Sequence, residues 1–599
     1  MKDYKHRMTN LKKLFENPLP SARSGAFFNA FSYPTKISPE SIAVYIASIT
    51  EPGETVLDAF GGSGSTGIAA LLCEHPTDNM KAIAKRIGVK PKWGRRNAIC
   101  YEIGSYGSFA MSAISNRLSS KSFEKAVDDY IGEVEGILNK YYSAIDPDGN
   151  EGLIRHIIWT EYLICPNCKE EISYFEFGTK RNPVTFLKEI KCPKCGKKHV
   201  VDDLDFAKEE HIDKVLGEKC QRKKRRPAWI YGTTGAEKWN RKATDRDYTE
   251  YLKVEEKLVK EKNPSKIEWG ELHRSGYHYG IDYLHQFYTS RNYYVFKELW
   301  KRTEKYDEKV QAALKLLLLS YNGSNCTMMT RVVAKKDSKD FVLTGAQSGV
   351  LYISKLPVEK NILLGLKRKS APISEAYKML ENCSGNFFVR NTSSAHMEEK
   401  NNTIDYVFTD PPFGDFIPYA EVNQINELWL DNRTNRDDEI IISQSQNKGL
   451  NEYKQLLESV FKEICRVLKD DAYATVVFHA AKADVWAALA NVISDSGMKV
   501  ALTNILDKKQ ASFKQVVSND SVQGDPLLLL QKGKMVCVDK ETDEDIISRL
   551  MNEQKNEKIN ERRIYSLYVN ECLIKGRRVS MDASQVYAII RGRKKNGTK

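Results

Sequence analysis

No apolar run in this chain approaches membrane-spanning length. The leucine stretches Leu316–Leu319 and Leu527–Leu530 are far too short. The segment Met1 to Asn17 is charged and lacks the apolar core of a secretory signal. The expectation is a cytoplasmic protein with no membrane partner. There is no internal period of the kind that builds solenoids and no long low-complexity segment. A length of 599 residues, 41% apolar and 10% aromatic, then implies several domains with real cores. Lysine and arginine number 92 against 79 acids, a net charge of +13. That balance suits a polyanionic partner without requiring one.

What is present begins at residues 404–413. Ile404-Asp405-Tyr406-Val407-Phe408-Thr409 predicts a buried strand, and Asp410-Pro411-Pro412-Phe413 closes it. A carboxylate, a proline carbonyl and an aromatic ring are thereby offered together at the carboxyl end of a strand, where open α/β sheets bind ligands. The set suits a planar substrate bearing an amino group, with two acceptors for its N–H bonds and a ring for its face. An amine conjugated to a heteroaromatic ring is a poor nucleophile, and acceptors on its hydrogens favour a more tetrahedral nitrogen. By itself the motif is also compatible with a Pro-Pro turn ending an ordinary strand.

A second constellation lies upstream. Glu54–Phe60 predicts a strand, followed by Gly61-Gly62-Ser63-Gly64-Ser65-Thr66-Gly67 and an Ala/Leu-rich helix start. Strand, glycine turn and helix make a nucleotide-type crevice. The turn has neither the lysine of a GxxxxGK[ST] phosphate loop nor the spacing of GxGxxG. Asn97–Glu102 predicts the next strand. It ends in an acid placed to accept hydrogen bonds from ribose hydroxyls.

With Phe60-x-Gly62-x-Gly64, Glu102, Asp410-Pro411-Pro412-Phe413 and the preceding Tyr33-Pro34-Thr35-Lys36-Ile37-Ser38-Pro39-Glu40, the chain resembles the amino-group (N6-adenine or N4-cytosine) DNA methyltransferases. The resemblance continues through Gly414–Tyr419 and Trp429-Leu430. It covers roughly residues 25–110 and 385–535 and implies an α/β fold. That fold is a Rossmann-like class I methyltransferase sheet, seven-stranded with the last strand antiparallel, interrupted by a large zinc-ribbon and helical insertion. The remaining strands are expected at Gly385–Arg390, Ala472–His479, Met498–Leu502 and Pro526–Leu530. S-adenosylmethionine is the implied cofactor, held by Lys36, Asp58, Phe60, Gly62, Gly64, Thr66 and Glu102. Asp410, Pro411, Pro412 and Phe413 are the implied catalytic residues. One departure is that the acid following the third strand, which contacts the cofactor's adenine in the family, corresponds here to Ser394. None of the 19 prolines is followed by cysteine, which removes the Pro-Cys nucleophile of carbon-5 cytosine methylation.

Cys165-Pro166-Asn167-Cys168 and Cys192-Pro193-Lys194-Cys195 carry metal spacing. Each CxxC pair can give two thiolates to one structural Zn²⁺. The expected organisation is an N-terminal arm (1–24), the cofactor half of the core (25–150), the zinc ribbon and a basic stretch (151–270), a mainly helical part (271–380), the catalytic half (381–538) and a C-terminal helical appendage (539–599). The insertion is far longer than a sheet connection and is the candidate for target recognition. Within it Arg222, Lys223, Lys224, Arg225 and Arg226 form the sharpest basic run, able to neutralise phosphates or to lie on a solvated loop.

Three functions stay open. The first is methylation of double-stranded DNA in a restriction–modification or phage-defence setting, with a cognate restriction endonuclease or defence subunit as partner. The second is methylation of an RNA base, and the third a non-catalytic nucleic-acid-binding scaffold. Asp at position 410, with the cofactor motif ahead of the catalytic one, favours adenine over cytosine. Cofactor binding together with activity on duplex DNA separates the three.

Overall fold

The structure is a computed structural model. It describes residues 2–17, 19–21, 25–335, 338–508, 525–535, 541–553 and 560–596. The chain divides into two units: residues 1–117, 375–420 and 433–599, and residues 118–374 and 421–432.

The first unit is built on an eight-stranded sheet. In chain order the strands are β1 (Leu19–Ser21), β2 (Thr55–Asp58), β3 (Asn97–Tyr101), β4 (Phe387–Arg390), β5 (Ile404–Thr409), β6 (Leu468–Val477), β7 (Met498–Lys508) and β8 (Asp525–Lys532). They lie side by side as β1-β7-β8-β6-β5-β2-β3-β4. All pairs are parallel except those of β8, which is antiparallel to both β6 and β7. All six residues of β5 are buried, as expected of a parallel strand covered on both faces. The antiparallel last strand was expected, but the count of seven is corrected to eight. The extra strand is the three-residue edge strand β1, whose Pro20 fits only at an edge. From β2 the strand order runs one way through β3 and the other way through β5. The carboxyl ends of β2 and β5 therefore flank the switch point at which such sheets bind ligands.

Several expected boundaries are corrected. The N-terminal segment is not a loose arm: helix Lys2–Glu16 buries Leu11, Leu14 and Phe15. The Leu14 carbonyl accepts from Tyr45 Oη at 3.0 Å and from Asn504 Nδ2 at 2.8 Å. Nor is the C-terminal region an appendage. Helix Glu561–Ile574 buries Ile564, Tyr565, Tyr568, Val569, Cys572 and Leu573 in the same core as Leu528 and Leu530 of β8. Asn570 Nδ2 also donates to the Asn504 carbonyl on β7 at 3.1 Å. A stripe repeating every three to four residues is what a helix covering a sheet requires.

The second unit starts at Leu118 rather than near residue 150, because helix Ser120–Leu138 packs within it. Tyr130 Oη donates to the Leu299 carbonyl at 2.7 Å. Its sheet is antiparallel, in the order Glu237–Lys242, Arg225–Thr234, Glu151–Ile164, Val358–Lys360. Helices Ser290–Arg302 and Glu308–Asn325 also lie in this unit. Glu421–Asn432, expected in the catalytic half, belongs here. Glu421 accepts from the Gly270 and Leu272 amides at 2.7 and 3.0 Å, and the Trp429 ring lies 4.6 Å from that of Phe296.

Candidate active site

The glycine turn follows β2. Gly62 and Gly64 take φ of +51° and +78°, a region that side chains rarely adopt. A Cβ on Gly64 would also meet Met111 at 2.5 Å. Glu102, just beyond β3, fixes this turn. Its Oε2 accepts from the Gly62 amide at 2.6 Å and its Oε1 from the Gly104 amide at 2.5 Å. A carboxylate can accept about four hydrogen bonds, so Glu102 can shape the turn and still take hydroxyl donors. Asp58 joins the two strands of the switch point. Its Oδ1 accepts from the Phe60 amide at 3.0 Å and from Thr409 Oγ1 on β5 at 2.7 Å. Burial raises the Asp58 pKa above the ordinary carboxylate value, against the pull of those bonds.

Asp410-Pro411-Pro412-Phe413 leaves the carboxyl end of β5. The Pro412 carbonyl accepts from Tyr453 Oη at 2.7 Å. Tyr453 is wholly buried on helix Leu450–Val467. The Phe413 ring stands edge-on to Phe478, with centroids 5.4 Å apart at 80°, and 6.1 Å from Phe416.

These two constellations share one cavity of about 940 Å³. Of the expected residues, Lys36, Asp58, Phe60, Gly62, Thr66, Glu102, Asp410 and Pro412 line it. Gly64, Pro411 and Phe413 are outside its described wall. Gly64 starts helix Ser65–Leu72 behind the turn, and Phe413 packs among Phe416, Phe478 and His479. Lys36 is fastened to the protein itself: Nζ donates to the Phe31 and Phe27 carbonyls at 2.7 and 3.0 Å and lies 3.4 Å over the Phe31 ring. Thr66 Oγ1 donates to the Phe408 carbonyl at 3.2 Å.

The wall also contains residues to which the sequence assigned no contact. Tyr419 stacks on Tyr33 at 6.0 Å and shares a 3.0 Å hydrogen bond with Thr35 Oγ1. Asp438 and Glu439 come from a loop clamped by Lys448, whose Nζ donates to the carbonyls of Arg436 (2.5 Å), Glu439 (2.7 Å) and Asp437 (3.0 Å). Burial lowers the Lys448 pKa below the ordinary lysine value. Where the family places an acid after the third strand, the wall is Thr392-Ser393-Ser394, and Ser394 Oγ donates to the Ala59 carbonyl at 2.8 Å.

Residues 2–106 match the sequence model of the N6/N4 methyltransferases, described as DNA methylase. This segment, about a sixth of the chain, is similar to the amino-group DNA methyltransferases. Among solved structures, a SAM-dependent methyltransferase from Methanosarcina mazei is 11% identical over 27% of this chain and 79% of its own, with a TM-score of 0.15. Geranyl diphosphate C-methyltransferase from Streptomyces coelicolor A3(2) is 7% identical over 28% of this chain, with the same TM-score. The match spans 58% of that enzyme's own length. No curated protein matches the chain.

The second unit carries the cysteine cluster. The sulfurs of Cys165, Cys168, Cys192 and Cys195 all lie within 4.8 Å of one another. Cys165 is 3.7 Å from Cys195, and Cys168 is 3.6 Å from Cys192. A tetrahedral Zn²⁺ with bonds of about 2.3 Å would hold its thiolates about 3.8 Å apart, so the donor set fits that ion. The two knuckles repeat one geometry. The Cys165 amide donates to the Glu170 carbonyl and the Lys169 amide to the Cys165 carbonyl, both at 2.9 Å. The Cys192 amide reaches the Lys197 carbonyl at 2.8 Å, and the Gly196 amide the Cys192 carbonyl at 3.0 Å.

The basic run does not lie free for phosphates, which corrects the reading of Arg222–Arg226 as a backbone-binding loop. Arg222 pairs with Glu209 at 2.8 Å and Glu255 at 3.5 Å, Lys223 and Arg225 with Glu161 at 3.0 and 2.7 Å, and Arg226 with Glu209 at 2.8 Å. Lys224 pairs with Glu171. Glu161 is 1% exposed and Lys223 4%, while Arg222, Lys224, Arg225 and Arg226 are partly buried in their ion pairs. Charges that deep are held only when paired.

No helix among the described residues is long and apolar enough to cross a membrane.

Proposed function

We propose that this protein transfers a methyl group from S-adenosylmethionine to the exocyclic amino group of a base in double-stranded DNA, with adenine N6 favoured over cytosine N4. The supporting observation is the single cavity at the switch point, whose wall joins the glycine turn and Glu102 to Asp410. The glycine turn lets the cofactor approach the protein backbone closely, and Glu102 takes the ribose hydroxyls on the acceptor capacity left by Gly62 and Gly104. When bound, S-adenosylmethionine supplies an electrophilic sulfonium methyl. The protein's own task is to hold the amine in line with it, which is where most of the rate gain of such a transfer arises.

Asp410 and a proline carbonyl accept the two amine hydrogens. Tyr453 donates to the Pro412 carbonyl and thereby fixes the turn that carries both proline carbonyls. A base inside a duplex must be swung out to reach this site, and Phe413, which follows the wall residues Asp410 and Pro412 in sequence, is the ring assigned to stack on it. Asp at position 410 and the motif order support adenine. A restriction–modification or phage-defence setting rests on the family resemblance alone. The Cys165, Cys168, Cys192 and Cys195 cluster holds a structural Zn²⁺ with no open position, so it takes no part in the chemistry.

Asp410→Ala tests this reading. Because Asp410 faces the amine rather than the cofactor, methylation of duplex DNA should fall by several orders of magnitude while S-adenosylmethionine binding persists. Full turnover by the folded variant would overturn the assignment.

A further inference from the structure

The zinc ribbon presents cations in a way opposite to the ion-paired run at Arg222–Arg226. Lys169, Lys188, Lys191, Lys197 and Lys198 are all exposed. Among the described residues none of them forms an ion pair, and the acids next to the first knuckle are taken: Glu170 by Lys194 at 3.1 Å and Glu171 by Lys224.

The hairpin at the second knuckle sharpens this. Strands Glu189–Lys191 and Lys198–Val200 pair antiparallel, and their register sets Lys191 directly opposite Lys198. Residues directly opposite each other share a sheet face, and like charges there are destabilising. A carboxylate at either position would have made a favourable cross-strand pair. The lysines also sit on fixed backbone. Ile190 and Cys192 beside Lys191 are 2% and 1% exposed, and Lys197 Nζ donates to Asn167 Oδ1 at 2.7 Å, linking the two knuckles.

We infer that this face of the zinc ribbon docks on the phosphodiester backbone of duplex DNA. Phosphates add to the counter-charge of Glu189 and the cysteine thiolates, and they relieve the Lys191–Lys198 repulsion. Lysine is a point charge without the fork geometry that reads a base edge, so the face positions the duplex and does not read its sequence. The inference rests on the proposal that duplex DNA is the substrate.

The test is binding of a fluorescent DNA duplex to the full-length protein across a salt series. The wild type is compared with Lys191→Ser/Lys198→Ser and with Lys191→Arg/Lys198→Arg. Each lysine on a phosphate contributes about 0.9 to the slope of log affinity against log salt. The serine pair should therefore lower the slope by about 2 and weaken binding at moderate salt, while the arginine pair keeps both. Zinc content and S-adenosylhomocysteine affinity should be unchanged in both variants, and the unfolding temperature should not fall, since the substituted side chains are exposed and the serine pair removes a like-charge contact. An unchanged slope in the serine pair, with wild-type DNA binding intact, would overturn this inference alone. Failure of the wild type to bind duplex DNA would overturn the proposed substrate. Tighter binding to an RNA duplex of equal length would overturn the choice of DNA.

Discussion

At the scale of single residues, the site depends on groups that hold other groups. Glu102 braces the glycine turn through two amides, and Tyr453 engages the Pro412 carbonyl from a fully buried position. The sequence places Tyr453 on the apolar face of an amphipathic helix, where an aromatic ring needs no further explanation. Its hydroxyl has a partner only because the fold brings position 412 to it. Tyr453→Phe keeps the ring and removes one hydrogen bond worth about 1 kcal/mol. If that bond orients the Pro-Pro turn, kcat for DNA methylation should drop roughly tenfold, with KM for S-adenosylmethionine and the unfolding temperature little changed. Equal losses in kcat and stability would make Tyr453 a packing residue only.

At the scale of elements, central strands were legible and edges were not. β2, β3, β5 and β8 are short apolar stretches because both of their faces are covered, and each is followed or preceded by a turn signal. β1 is three residues containing a proline, too little for periodicity to detect. The cysteine knuckles were legible because metal spacing is local in sequence. The ion pairing of Arg222–Arg226 was not, because Glu161, Glu171, Glu209 and Glu255 lie outside the run and only the fold brings them to it. Two predictions belong here. Cys192→Ser should lower zinc content and loosen the ribbon while S-adenosylmethionine binding persists, since the cofactor cavity lies in the other unit; metal analysis showing no zinc in the wild type would defeat the assignment. The second concerns His156, in strand Glu151–Ile164 and stacked on Tyr231 at 4.3 Å. Burial, with Arg155 and Lys360 adding to it, holds its pKa down at about 3, against 6.5 unperturbed. A depressed folded pKa means that protons bind the unfolded chain more readily, so the His156 contribution is complete above pH 6.5 and is lost as pH falls toward 3. His156→Phe, which keeps a stacking ring, should flatten the unfolding curve across that interval relative to wild type. An identical pH dependence would show that His156 is not held neutral.

At the scale of the whole molecule, one unit carries the sheet with the cavity and the other carries the ribbon, and the chain passes between them more often than the sequence suggested. Helix Leu363–Leu380 runs across the division at residue 375, and Glu421–Asn432 leaves the catalytic half to join the second unit. Hydrophobic pattern announces elements, whereas the choice of unit is settled by long-range partners such as Gly270 and Leu272 for Glu421. Both chemical motifs were legible despite this, because each is a strand end with its turn and needs no knowledge of the insertion. The most direct measurement is nucleoside analysis by mass spectrometry of duplex DNA incubated with the full-length protein and S-adenosylmethionine carrying an isotopically labelled methyl group. The predicted result is label on an exocyclic amino nitrogen, N6 of deoxyadenosine foremost, and none with Asp410→Ala. Label on carbon 5 of cytosine, or label in RNA but not in DNA under the same conditions, would contradict it.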